Sequence, residues 1–121
     1  MAEKVILVVE DEEIERKLLV EVIETLGYEV AQAHNGRVAL EIMNQRPIDL
    51  ILTDIHMPEI SGLELLRRVR EQGNNLPIIV MTGFDAHEAT KAAQEYNIAA
   101  LLLKPFRLQE LKELLEKLFA E

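Results

Sequence analysis

Val5-Ile6-Leu7-Val8-Val9-Glu10-Asp11 is the stretch that decides the fold: five apolar residues, four of them β-branched, followed at once by two carboxylates. A strand with one wet face alternates apolar and polar residues. An unbroken apolar run this short reads instead as a strand buried on both faces. Downstream, apolar residues recur at Ile14, Leu18, Leu19, Val22, Ile23 and Leu26. That is the spacing of one helix face, and Gly27 supplies a stop. Tyr28 to Ala33 is a weaker strand. Asn35 can cap a helix carrying Val38, Ala39, Ile42 and Met43, which Pro47 ends. Ile48 to Thr53 is a third strand, and Leu63, Leu66 and Val69 mark a helix closing near Gly73. Pro77 opens a fourth strand, Ile78 to Met81. Asp85 with Glu88 makes a capping-box-like start to an Ala-rich helix reaching about Asn97. Ala99 to Leu103 is the fifth strand. Leu108, Leu111, Leu114, Leu115 and Leu118 line the last helix.

Strand and helix alternate five times, so the expected class is α/β: a (βα)5 doubly wound parallel sheet with helices on both faces. Such sheets hold their ligands outside the carboxyl ends of the strands. The residues just past each apolar run therefore become candidates. Glu10 and Asp11 follow the first strand, Asp54 the third, Thr82 the fourth and Lys104 the fifth. Each alone has an ordinary explanation, because loops are polar and threonine is at home at a strand end. On this fold all of them converge on one edge.

The chain has 121 residues and a net charge of -9, with 22 acidic and 13 basic residues. This length predicts one domain, 1–121, large enough to bury a core. With no cysteine in the chain, disulfides, thiolate zinc sites and cysteine nucleophiles are excluded. The acidic balance argues against direct binding to nucleic acid or to an anionic membrane. No signal-like or membrane-spanning run is present, so the expected location is cytoplasmic. Residues 1–30 hold nine of the acids and three bases. Glu12, Glu13 and Glu15 read as helix-start and surface charges, whereas Glu10 and Asp11 belong with Asp54.

Three carboxylates brought together repel, and one lysine is insufficient to balance them. A hard divalent cation that takes oxygen ligands completes the set, and Mg²⁺ suits it. A cation, a lysine and a hydroxyl around a further carboxylate form a phosphoryl-transfer site, with Asp54 as nucleophile. His34, His56 and His87 lie in separate loops or helix starts without i, i+4 spacing, which argues against a histidine metal site.

At this point the chain resembles the receiver domain of two-component response regulators, of the chemotaxis-regulator type. Asp54-Ile55-His56-Met57-Pro58-Glu59-Ile60-Ser61-Gly62 is similar to that family's D-x-x-M-P-x-x-x-G segment. Lys104-Pro105-Phe106 is similar to its K-P-F, Val8-Val9-Glu10-Asp11 to its acidic strand end, and Met81-Thr82-Gly83 to its hydroxyl-bearing one. The resemblance implies the flavodoxin-like strand order 2-1-3-4-5. It implies that Asp54 accepts the phosphoryl group and that Glu10, Asp11, Asp54 and the His56 backbone carbonyl hold Mg²⁺. It also implies that Thr82 and Lys104 each meet a phosphoryl oxygen, that Lys104–Pro105 is cis, and that Pro58 and Gly62 shape the loop after the acceptor. One position departs from the pattern: Leu101 stands where the family usually carries a Tyr or Phe switch residue on the fifth strand. Phe84 and Glu59 are expected to flank the site.

The implied function is that of a phosphoacceptor module with no separate substrate to turn over. The donor is a sensor histidine kinase or a histidine phosphotransfer protein. The output protein or domain is unspecified, and a phosphorylation-dependent homodimer on the fourth helix–fifth strand–fifth helix face is an implied option. Ala86, Ala89, Ala92 and Ala93 lie on that fourth helix. Two alternatives remain. A phosphatase or phosphotransferase with an Asp nucleophile after the first strand calls for Asp-x-Asp, where this chain has Glu10-Asp11-Glu12, and for an inserted cap. A flavin or nucleotide module of the same fold calls for a Gly-rich phosphate loop, where this chain has acids.

Overall fold

The computed structural model describes residues 3–57, 59–83 and 86–120. The strands are β1 (Val5–Val9), β2 (Glu29–Ala33), β3 (Leu50–Asp54), β4 (Ile78–Thr82) and β5 (Ala100–Leu103). The helices are α1 (Glu13–Thr25), α2 (Gly36–Gln45), α3 (Gly62–Glu71), α4 (Ala86–Tyr96) and α5 (Leu108–Leu118). The strands form one parallel sheet in the order β2-β1-β3-β4-β5, as expected.

The sheet divides the core in two, because successive side chains on a strand point to opposite faces. Ile6, Val8, Leu50, Leu52, Ile79, Met81 and Leu102 pack with Leu19 and Ile23 of α1 and Leu111 and Leu115 of α5. Leu7, Val9, Ile51, Ile78 and Val80 pack with Leu65, Leu66 and Val69 of α3, with Ala39 of α2 and with Ala89 and Ala92 of α4. The middle strands β1, β3 and β4 are buried almost throughout, which accounts for their unbroken apolar runs.

Helix boundaries follow local chemistry. The Asn35 side chain accepts from the Val38 backbone N–H at 2.8 Å, the capping bond expected of it. Ser61 caps α3 in the same way through Glu64 N–H at 3.2 Å. Beyond α1, Gly27 takes φ +102°, a conformation that a Cβ would strain. At the opposite end of the sheet from the acids, the Arg70 guanidinium donates to four backbone carbonyls, those of Asn74, Leu76, Tyr96 and Asn97. These bonds tie the end of α3 to the end of α4.

One expectation fails. The helical spacing assigned Ile14 and Leu18 to the buried face of α1. Both are exposed, at 77% and 58%, while Leu19 and Ile23 are buried. The apolar stripe of α1 is wider than the sheet it covers, so its flank faces solvent beside Leu108 of α5. Pro58, Phe84 and Asp85 lie outside the described residues, and so do the loop, flanking and capping roles expected of them. Among the described residues no helix is long and apolar enough to cross a membrane.

Candidate phosphoacceptor site

The alternation that splits the core also aims the site. Glu10 continues the parity of Ile6 and Val8, Asp54 that of Leu50 and Leu52, and Lys104 that of Leu102. All three therefore leave the sheet on the α1/α5 side at its carboxyl edge. Their side chains meet there. The Lys104 Nζ donates to Asp54 Oδ2 at 2.7 Å and to Glu10 Oε1 at 2.9 Å. The backbone contributes to the placement: Lys104 N–H donates to the Thr82 carbonyl and Glu10 N–H to the Ala33 carbonyl.

Glu10 is fully buried. Burial pushes its carboxyl up, to about 7, against the lowering effect of Lys104 and of the Glu12 N–H that bonds its second oxygen. The Lys104 ammonium is held above its ordinary value by Asp54 and Glu10, which outweigh its own burial. Asp54 is 13% exposed at the side chain, and its Oδ1 accepts from the His56 N–H at 3.0 Å. Asp11 completes the group: carboxylate oxygens of Glu10, Asp11 and Asp54 lie within 4.8 Å of one another. Among the described residues no hydrogen bond or ion pair engages the Asp11 carboxylate.

These observations fit a hard cation. Like charges at that separation repel by roughly 3–4 kcal/mol at an effective dielectric near 20. Lys104 offsets only part of the repulsion, and no cation among the described residues contacts Asp11. Oxygen-only donors that leave room for water and phosphate suit Mg²⁺. The site also holds an unused donor. Among the described residues Thr82 Oγ1 is buried without a hydrogen-bond partner, a state that costs about 1–3 kcal/mol unless an acceptor arrives. Thr82 has the parity of Val80, so it reaches the carboxyl edge from the α3/α4 side, opposite Lys104.

The remaining expected residues divide. Lys104–Pro105 is cis, and Pro105 is exposed. Gly62 is indispensable in shape: a Cβ there would overlap the Asp54 carbonyl oxygen and sit 2.7 Å from Ile55 Cα. The His56 imidazole is exposed and lies 3.9 Å from Glu88, not among the three acids. Glu59 takes φ 64° and reaches Asn35 Nδ2 at 3.5 Å, which joins the loop after Asp54 to the start of α2. Leu101 is half-buried against the α3/α4-side core.

Two residues were missed. Glu15, read from sequence as a surface charge, lies 3.3 Å from Lys104 Nζ. Arg16 donates to the Glu10 carbonyl at 2.9 Å and to Gln32 at 3.1 Å, fixing the acidic loop to β2. A signal for both existed in their spacing. Residues one turn into a helix that follows the first strand lie back over that strand's end.

Comparison with known proteins agrees with this geometry. Residues 6–116 match the family described as the response regulator receiver domain. The chain is 40% identical over 115 residues to the response regulator receiver protein CpdR of Brucella abortus, covering 95% of this chain and 96% of that one. It is also 40% identical over 113 residues to a probable transcriptional regulatory protein of Picosynechococcus, of which it spans 45%. The response regulator TrrA of Thermotoga maritima, solved in complex with Mg²⁺ and beryllofluoride, superimposes with a TM-score of 0.86. That match has 36% identity and covers 96% of this chain and 99% of the other. The function these comparisons carry is Mg²⁺-dependent acceptance of a phosphoryl group from histidine onto aspartate, without turnover of a separate substrate. By sequence, strand order and site, this chain belongs to the response regulator receiver domain family.

Proposed function

We propose that residues 1–121 form a single receiver domain whose phosphoacceptor is Asp54. The observation that carries this reading is the convergence of Lys104 on Asp54 and Glu10 from 50 and 94 residues away, beside an unpartnered buried Thr82 hydroxyl. The Asp54 carboxylate attacks the phosphorus of a phosphohistidine. The new O–P bond forms as the P–N bond breaks, and the imidazole leaves with its electron pair and takes up a proton. Lys104 turns one N–H to a phosphoryl oxygen, and Thr82 donates its hydroxyl to another. Glu10, Asp11, Asp54 and the His56 carbonyl hold Mg²⁺, which when bound supplies the positive charge that the transferring oxygens and the acids require. Gly62 lets the loop after Asp54 close behind it, and Pro105 shapes the loop after β5.

The donor is a sensor histidine kinase or a histidine phosphotransfer protein. The exposed Ile14, Leu18 and Leu108 beside the site support a protein donor rather than a small metabolite alone. Phosphorylation then favours one of two conformations of the α4–β5–α5 face, which meets the output protein or domain or a second copy of the chain. Leu101 sits in that path without a ring or hydroxyl. Its half-buried packing supports transmission by repacking of apolar side chains as Thr82 moves. The location that suits such a donor is the cytoplasm, and neither nucleic acid nor a membrane is a direct partner. Incubation with a small phosphodonor and Mg²⁺ should add one phosphoryl group by intact mass, and Asp54→Asn should abolish it. Labelling that persists in Asp54→Asn overturns the assignment.

A further inference from the structure

The Lys104 ammonium has three N–H bonds, and all three are engaged: by Asp54 at 2.7 Å, Glu10 at 2.9 Å and Glu15 at 3.3 Å. A phosphoryl oxygen can reach this lysine only by displacing one of them. Glu10 is fully buried, so water cannot replace the lysine at the oxygen it would give up. Asp54 is the acceptor and must stay. Glu15 is the longest of the three contacts, has a side chain 54% exposed and returns to water at little cost. It reaches down from the first turn of α1, at the solvent side of a groove lined by Leu18, Phe106 and Leu108 that opens onto Lys104.

We infer that Glu15 is a positioning residue that holds the place of a phosphoryl oxygen on Lys104 until a donor arrives. Its carboxylate keeps the lysine turned into the site, at the cost of occupying the N–H that transfer requires. Each phosphorylation event then begins with the exchange of one anion for another on Lys104, and each loss of the phosphoryl group ends with Glu15 returning. An exposed ion pair of this kind is a shallow restraint. Its removal should accelerate acceptance by about two- to fivefold, not by orders of magnitude.

The inference rests on Asp54 as acceptor, and the experiment separates the two. Rates of phosphorylation are measured for the full chain, Glu15→Gln and Glu15→Asp, with acetyl phosphate and with phosphoramidate, in saturating Mg²⁺. Lys104 side-chain mobility is followed in parallel by NMR relaxation of its ammonium group in protein never exposed to donor. The expected result is a two- to fivefold gain for Glu15→Gln with both donors, shrinking as salt rises. Glu15→Asp, one methylene too short to reach, should gain as much. Lys104 should become more mobile in both variants. Equal rates in parent and Glu15→Gln overturn the inference. So does a gain confined to the more highly charged acetyl phosphate, or one absent from Glu15→Asp, since either marks simple charge repulsion. Unchanged Lys104 mobility overturns it even if the parent takes no label. A parent that takes no label, with Lys104 mobility raised in both variants, counts instead against Asp54 as acceptor and upholds the Glu15 contact.

Discussion

Replacing Asp11 by Asn should make the metal-free domain more stable. Asp11 brings a negative charge within 4.8 Å of two others and has no cation or donor of its own among the described residues. Two further carboxylates at that range each repel it by roughly 3–4 kcal/mol at a dielectric near 20, and by about 1 kcal/mol if water screens the pair fully. Three facts reduce the sum. Asp11 is partly exposed, Glu10 is partly protonated near neutral pH, and Lys104 offsets Asp54. A net gain of about 1–2 kcal/mol remains, worth about 3–6 °C per kcal/mol in a chain of this size. Thermal melts in chelator should therefore place Asp11→Asn about 3–12 °C above the parent. A charge-matched substitution on the exposed side of α1, Glu24→Gln, should move the midpoint by much less and so controls for the chain's overall acidity. Added Mg²⁺ should reverse the order, because ligand binding stabilises only the chain that retains the site. The reasoning fails if Asp11→Asn melts at or below the parent in chelator, or if Mg²⁺ raises both equally.

Two other substitutions probe the same site. Thr82→Val replaces an unpartnered buried hydroxyl with a methyl of similar volume. Denaturant midpoints should rise by an amount worth about 1 kcal/mol while phosphorylation slows; a loss of stability would show that the hydroxyl already has a partner. Glu10 titrates near 7 folded against 4.5 unfolded, so the folded state holds its proton more tightly. The stability from that proton is full below pH 4.5 and is lost as pH rises through about 7, an upper limit of about 3 kcal/mol. Urea midpoints in chelator should show the parent losing stability relative to Glu10→Gln across that window, and parallel pH curves would refute the burial of a charged Glu10.

The fold was legible because every strand but β2 declares itself by a short apolar run with a polar end. Val5–Val9 and Ile78–Met81 could be read without a partner, since burial on both faces leaves no alternation to confuse. The site was legible for the same reason: Glu10, Asp54, Thr82 and Lys104 each terminate such a run. What failed was the reading of helix faces. Ile14 and Leu18 have core spacing, yet they face solvent while Leu19 and Ile23 lie over the sheet, because periodicity gives the direction of a stripe and not the width of the surface beneath it. Glu15 failed differently. Its place one turn into α1 sets it back over the end of β1, but among five neighbouring acids that spacing acquires meaning only with Lys104, 89 residues away.

The acceptor site draws on β1, β3 and β5, and the alternating parity of those strands aims its charges to one side of the sheet. A growing chain therefore carries Glu10, Asp11 and Asp54 long before it carries the lysine that holds two of them. Until β5 has been synthesised and has docked against β4, the carboxylates on the neighbouring strands β1 and β3 lack the lysine that two of them share. Competence to take a phosphoryl group is thus among the last properties a newborn molecule acquires. The last strand to leave the ribosome thus delivers the one cation that the first and third strands' acids hold in common.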